Sequence, residues 1–331
     1  MEGKGFILPD RERVPSVFAA SCLFFAAVLG QPVTSLLVSF LMRLAAKAGA
    51  RAGAGYFQML GTVFYYLLFI ALPYAAYALR HPGIGENVRF KPLGGGQALL
   101  CAFAAILAVM CLSALTYLWI ILLEALGGRI PDSPSLTAST PGELIGLVLL
   151  SAVLPAVCEE TLFRGALLSA WEEKGSAKAM LIVSVLFMLL HGSVTGIPSE
   201  LAAGLILCFL AIRTGSVFAG IIFHTVYNSA ILIINYASAG SAEAEASQSY
   251  FNAIGGAAGL LGLFMRLLLF SLLLFFVLRA LYRKSAKDGF GVSEASRREK
   301  SAYEYVVIIC GVLAALLLYA EDILTLIGVI R

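Results

Sequence analysis

The stretch that decides the fold is LPAVCEETLFRGALL (residues 154–168), where three charged residues interrupt an apolar run. These are Glu159, Glu160 and Arg164. The surrounding residues 142–170 have the length and composition of a membrane span, which needs about 20 mainly apolar residues. Charged side chains inside a span are costly, and where they occur they are usually paired or functional. The stretch therefore predicts a membrane-spanning helix that carries a functional site.

The composition of the whole chain supports a membrane protein. Of its 331 residues, 60% are hydrophobic and only 13% are charged, whereas soluble domains contain about 25% charged residues. Nine apolar segments are candidate spans: about 14–42, 56–79, 97–126, 142–170, 178–195, 199–212, 215–237, 256–282 and 303–330. We expect an all-α, polytopic transmembrane helical bundle of eight or nine spans. The segment 199–212 is the shortest, and we expect it to be tilted, half-buried or re-entrant.

The positions of Lys and Arg predict the orientation of the chain. The basic insert 283–300 should be cytoplasmic, and the loop 237–255, which has no Lys or Arg, should be external. Counting from these loops places the N-terminus inside and the C-terminus outside. The basic residues around Arg43 and Lys47 then fall on the wrong side, a conflict that a break at Pro32 would resolve. Because the positive charge flanks spans, it does not indicate nucleic-acid binding.

The chain divides into three parts in this interpretation. Residues 1–141 are N-terminal transmembrane helices, residues 142–237 form a core around the charged stretch, and residues 238–331 are C-terminal helices with the basic loop. The six cysteines are scattered through apolar segments without a CxxC pair. Neither a disulfide framework nor a zinc ribbon is therefore indicated.

A few other polar residues lie inside predicted spans. His191 and His224 are two of only three histidines in the chain, and Asn228 follows His224 by four residues. Counted along each helix at 1.5 Å per residue, these side chains and Glu159 lie roughly 13–20 Å from the cytoplasmic ends. We therefore expect three antiparallel helices to bring them to a similar depth.

Helical spacing predicts the contacts of the charged residues. Glu160 and Arg164 are four residues apart with the acid first, the favoured arrangement for an ion pair on one face. Glu159 lies about 100° around the helix and should point elsewhere. Phe187, one turn before His191, should brace that histidine.

The segments EETLFR (159–164), FMLLH (187–191) and HTVYN (224–228) together resemble the motifs EExxxR, FxxxH and HxxxN of the CPBP family. This family comprises the CAAX-protease and bacteriocin-processing (Abi) membrane proteins. The resemblance implies an intramembrane endopeptidase acting on a membrane-associated peptide or protein, and a bacterial cytoplasmic membrane as the location. It also implies that Glu159 and His191 activate water.

By the same resemblance, His224 and Asn228 form an oxyanion hole. Glu160, paired with Arg164, orients its helix. No cofactor is expected from this interpretation.

Other chemistries remain open at the level of sequence. A zinc site would use Glu159, His191 and His224, although these histidines lack the one-turn spacing of HExxH zinc hydrolases. Cys158 as a nucleophile is a further alternative, but buried cysteines usually behave as small apolar residues. A proton-coupled transporter or a non-catalytic membrane scaffold would use the same buried polar residues. No internal repeat of the transporter kind is found.

Overall fold

The structure is a computed structural model that describes residues 15–48, 54–81, 89–131, 138–172, 175–238, 249–287 and 302–329. Within these ranges the chain is helical and contains no β-strand, which confirms the predicted all-α class. The α-helices are α1 (Val17–Lys47), α2 (Ala54–Tyr65), α3 (Leu72–Arg80), α4 (Gly95–Ala125), α5 (Pro141–Val148), α6 (Leu154–Glu160), α7 (Leu168–Trp171), α8 (Ser176–His191), α9 (Ile197–Thr214), α10 (Val217–Ser238), α11 (Tyr250–Ala253), α12 (Gly256–Lys287), α13 (Ala302–Leu318) and α14 (Ala320–Leu326).

Among the described residues, seven helices are long and apolar enough to cross a membrane, and the bent pair at the C-terminus makes up to eight. The upper count of eight agrees with the lower of the two predicted numbers of spans, eight and nine. The segment 199–212 forms α9, a continuous helix of 18 residues that is long enough to be a candidate span. Its tilt in the membrane stays a prediction. The segment that falls short is instead α8, with 16 residues.

The helix α8 is too short to cross the hydrocarbon core of a membrane. Its 16 residues extend about 24 Å, against a hydrocarbon core of ~30 Å. Irregular backbone at membrane depth needs protein partners for its polar groups. The loop after α8 has them, because Val194 donates its N–H to Asp322 at 2.9 Å and accepts from the Trp119 indole at 2.9 Å.

The last turn of α8 is also capped by side chains from distant helices. The final carbonyls of a helix have no partner within it. The Gln31 amide, on α1, donates to the Leu190 carbonyl at 2.6 Å, and the Tyr319 hydroxyl donates to the Met188 carbonyl at 2.8 Å. The end of α8, where His191 lies, is thus fixed from both terminal parts of the chain.

The first helix does not break where the sequence suggested. α1 is continuous from Val17 to Lys47 with Pro32 inside it, so the break that would have reconciled the basic residues with the orientation is absent. The tips of the two loops on which the orientation depends, 239–248 and 288–301, lie outside the described residues. The orientation and the division at residues 142 and 237 stay predictions.

Two spans contain π-helical turns that the sequence analysis did not predict. Tyr66–Ala71 joins α2 to α3, while Leu149–Val153 and Thr161–Leu167 lie within Pro141–Trp171. Pro73 and Pro155 closely follow the first two. Proline removes a backbone N–H and clashes with the carbonyl four residues earlier, which widens the preceding turn. Such turns are frequent at functional sites.

Candidate active site

The predicted ion pair is present and fully buried. Arg164 Nη1 donates to Glu160 Oε1 at 2.8 Å, and both side chains are 0% exposed. Arg164 Nη2 also donates to the Gly204 carbonyl on α9 at 3.2 Å, and the guanidinium lies 4.4 Å from the centre of the Phe187 ring. Burying a charge is tolerated when such partners replace water. The pair therefore ties Pro141–Trp171 to α8 and α9.

His224 joins this pair from α10. Its Nδ1 lies 3.0 Å from Glu160 Oε1, the same oxygen that accepts from Arg164. A carboxylate oxygen can only accept, so Nδ1 carries the proton and donates. Gly220, one turn earlier on α10, provides the space, because a Cβ at that position would collide with Glu160 Oε2. Glu160 thus positions His224, a role beyond the predicted orientation of its own helix.

Glu159 points away from this cluster, as its helical position predicted. Its Oε1 accepts a hydrogen bond from the Tyr66 hydroxyl at 2.6 Å. Its Oε2 is buried and has no hydrogen-bond partner among the described residues. Buried polar atoms normally have a partner. Oε2 of Glu159 is therefore an acceptor that the described residues leave without a donor.

His191 has one ring nitrogen, Nδ1, in contact with the backbone, and the other, Nε2, is left for a further partner. Its Nδ1 lies 2.8 Å from the Phe187 carbonyl, which can only accept, so Nδ1 is the protonated nitrogen and Nε2 is left for other chemistry. The ring contacts Phe187 with centroids 4.6 Å apart, as expected from their spacing. Phe187 also lies 6.0 Å from the His224 ring, edge on. Phe187 therefore separates and braces both histidines.

The predicted site residues are not all linked to one another by hydrogen bonds among the described residues. Within the described residues, Glu159 and His191 share no hydrogen bond. A further acid, Glu200, lies in the first turn of α9, shortly after His191 in the chain. Glu200 also has a buried oxygen, Oε2, without a partner. Sequence reasoning missed Glu200, although an acid near the end of an apolar segment was a usable signal.

Asn228 lies one turn after His224 on α10 and makes its hydrogen bond outside the Glu160 cluster. Its amide Nδ2 donates to the Ser151 carbonyl, in the second π-helical turn, at 3.5 Å. This bond is at the long limit for an N–H donor. The amide is therefore held weakly and remains available as a donor.

Tyr66 and Gln31 are contacts that sequence reasoning missed. Both come from the N-terminal helices, and a tyrosine or glutamine in an apolar run carries no signal of its own. Among the described residues, no three His, Cys, Asp or Glu side chains lie close enough together to hold a metal ion. Cys158 is buried and free of any disulfide.

The comparisons with known proteins bear on the segment that holds the motifs. Residues 141–230 match the family model described as Rce1-like, type II CAAX prenyl endopeptidase. This confirms the resemblance that the three motifs indicated. No curated protein and no solved structure matches the chain.

Proposed function

We propose that this chain hydrolyses a peptide bond of a membrane-associated peptide or protein inside the bilayer, because its residues 141–230 match the model of the Rce1-like, type II CAAX prenyl endopeptidase family. Its several apolar helices make it a multi-pass membrane protein. The observation that carries the proposal is the Glu159 carboxylate. It is buried at 5% exposure, with one oxygen held by Tyr66 and the other without a partner among the described residues.

Glu159 is the general base in this proposal. Oε2 accepts a proton from a water molecule as the water oxygen attacks the carbonyl carbon of the substrate, and the same proton then passes to the leaving amine. His191 Nε2 orients the water from the other side. General bases of this kind typically contribute about 10²–10⁴-fold to the rate. Low dielectric around Glu159 strengthens its hydrogen bonds.

His224 and Asn228 supply the oxyanion hole. Preorganised donors lower the barrier because they meet the negative charge that develops on the carbonyl oxygen. While His224 Nδ1 donates to Glu160, Nε2 can donate to an oxyanion only if the ring is protonated at both nitrogens. Glu160 is the anion that such an imidazolium needs beside it. Asn228 adds its weakly held amide.

Arg164 and Glu160 act as positioning groups rather than as reactants. Arg164 pairs with Glu160 through Nη1 and donates to the Gly204 carbonyl through Nη2. This arrangement keeps the second acid of the motif from competing with Glu159 for a proton. No metal cofactor takes part in the proposed reaction.

The family likeness also supports a location and a direction of access. We place the protein in the cytoplasmic membrane of a bacterium, with the site reached from the cytoplasmic half through a polar cavity. Polar groups at membrane depth must line protein or water. Suitable substrates are then short membrane-anchored peptides with a cytoplasmic end, including prenylated C-terminal peptides.

The test is cleavage by the purified protein in liposomes. A library of membrane-anchored peptides, with and without a prenyl group, is analysed by mass spectrometry after incubation. We expect defined products from the wild type, and at least about 10²-fold slower cleavage with Glu159→Gln, which keeps the shape but loses the base. His191→Ala should behave similarly.

Glu143→Gln is the matched control, because Glu143 is an exposed acid at the start of the same span. It should cleave at the wild-type rate. Undiminished cleavage by Glu159→Gln would reject this mechanism. Absence of any cleavage by the wild type would leave the scaffold or the proton-coupled transporter as the function.

A further inference from the structure

The catalytic carboxylate of the proposed reaction is held from outside the segment that matches the family. Tyr66, on the second span, donates its hydroxyl proton to Glu159 Oε1 at 2.6 Å across 93 residues of sequence. Both side chains are buried, at 9% and 5% exposure. Hydrogen bonds to an ionised acceptor are about twice as strong as neutral ones, and low dielectric strengthens them further.

The backbone and a neighbouring ring fix the direction of the Tyr66 hydroxyl. Tyr66 is the first residue of the π-helical turn Tyr66–Ala71. The Tyr65 ring packs edge to face against it with centroids 4.9 Å apart. A tyrosine has few rotatable bonds, so these contacts leave its hydroxyl little freedom to leave Glu159.

The bond from Tyr66 distinguishes the two oxygens of Glu159. Oε1 is occupied by the hydroxyl, whereas Oε2 has no partner among the described residues. The carboxylate cannot rotate to exchange them without losing the bond. We propose that Tyr66 is a positioning residue, which presents Oε2 of Glu159 to the water that the carboxylate activates. This inference rests on the proposed function.

A second contact gives the N-terminal helices a parallel role at His191. The Gln31 amide of α1 donates to the Leu190 carbonyl at 2.6 Å, directly before His191. Both groups of the water-activating pair are therefore held by residues before position 141, outside the matched segment 141–230. The N-terminal spans are part of the catalytic machinery in this account.

Tyr66→Phe tests the proposal because it removes only the hydroxyl. We expect kcat to fall by about 10- to 100-fold, the scale expected when a reacting group is misplaced, with KM unchanged. Tyr74→Phe is the matched control. Tyr74 lies on the same span and has a hydroxyl that is buried without a partner among the described residues, so its loss should leave kcat unaltered.

A double variant separates positioning from general damage to the fold. Residues that act as one unit give non-additive effects. Tyr66→Phe should therefore slow the wild type but should not slow Glu159→Gln further, because there is no carboxylate base left to orient.

Two results would overturn the inference alone, with Glu159→Gln still inactive. One is a wild-type kcat in Tyr66→Phe, and the other is an equal loss from Tyr66→Phe in both backgrounds. If Glu159→Gln instead cleaves as fast as the wild type, the proposed function fails and the role of Tyr66 fails with it.

Discussion

The site has two halves, built on adjacent residues, with opposite surroundings. In the paired half, Glu160, Arg164 and His224 share one carboxylate oxygen at 2.8 and 3.0 Å. Glu159 and Glu160 each keep an Oε2 without a hydrogen-bond partner among the described residues, so the halves differ in what holds Oε1. In the open half, Glu159 Oε1 accepts from the uncharged Tyr66 hydroxyl, and the Nδ1 of His191 faces the Phe187 carbonyl, which leaves Nε2 for other partners. One step along a helix, about 100° of rotation, separates the two acids.

The difference teaches how a membrane helix can carry two acids for two purposes. A buried carboxylate that is ion-paired with a guanidinium is a weak base, and breaking its pair is costly. A buried carboxylate that is held by a neutral hydroxyl rather than by a guanidinium accepts a proton more readily. Substitutions in the paired half should therefore lower the stability of the protein, whereas substitutions in the open half should lower its turnover rate.

Asn228→Ala should have the largest single effect on turnover apart from loss of the base itself. Removal of one oxyanion donor typically costs about 10²–10³-fold in kcat, and the weak bond from Asn228 to Ser151 at 3.5 Å offers little stability to lose. The measurement is kcat for peptide cleavage together with the thermal unfolding temperature.

Asn235→Ala controls for the loss of an amide from the same helix, α10, two turns further on. It should retain the wild-type kcat. Equal rates in Asn228→Ala and the wild type would remove Asn228 from the oxyanion hole and leave His224 as its donor.

Gly220→Ala should damage the paired half through packing. Its Cβ would collide with Glu160 Oε2, and overpacking typically costs about 1–3 kcal/mol in the free energy of unfolding. The Glu160–His224 contact should be displaced too, so kcat should fall. Denaturant or thermal unfolding in detergent measures the first effect.

Gly146→Ala is the matched control on the neighbouring span. A Cβ there meets nothing within 4 Å, and alanine favours a helix over glycine by about 1 kcal/mol. The control should be at least as stable as the wild type. Equal stability of the two variants would show that the space beside Glu160 is not confined.

Removal of metal ions by a chelator should leave the rate of peptide cleavage unchanged. If Glu159 and His191 activate water without a metal, EDTA or phenanthroline leaves kcat unchanged, while a zinc hydrolase in the same buffer is inhibited. Activity that disappears on chelation and returns with zinc would make Glu159, His191 and His224 metal ligands and would replace the general-base mechanism.

Much of the fold followed from the sequence because apolar length alone specifies a membrane helix. The motif helix Pro141–Trp171 was expected within a residue or so at each end. The break at Pro32 was wrong, because α1 accommodates the proline without interruption. The π-helical turns and the early end of α8 depend on packing between distant helices, which periodicity does not encode.

The site followed from the sequence only where its contacts are local. The Glu160–Arg164 and Phe187–His191 contacts were predicted from a spacing of four residues, and both are present. The Glu160–His224 contact and the bond from Tyr66 span 64 and 93 residues. Such contacts depend on how distant helices pack. A tyrosine in an apolar segment has no sequence feature that separates a functional residue from a packing residue.

The most direct test of the central claim compares Glu159→Gln with Glu160→Gln in one set of measurements, turnover and thermal unfolding. Glu159→Gln should lose at least about 10²-fold in kcat while unfolding at the wild-type temperature. Glu160→Gln leaves Arg164 buried without its anion and should lose on the order of 3–5 kcal/mol of stability, along with expression and activity. Equal losses of stability in the two variants, or full activity in Glu159→Gln, would contradict the division of the site into an open and a paired half.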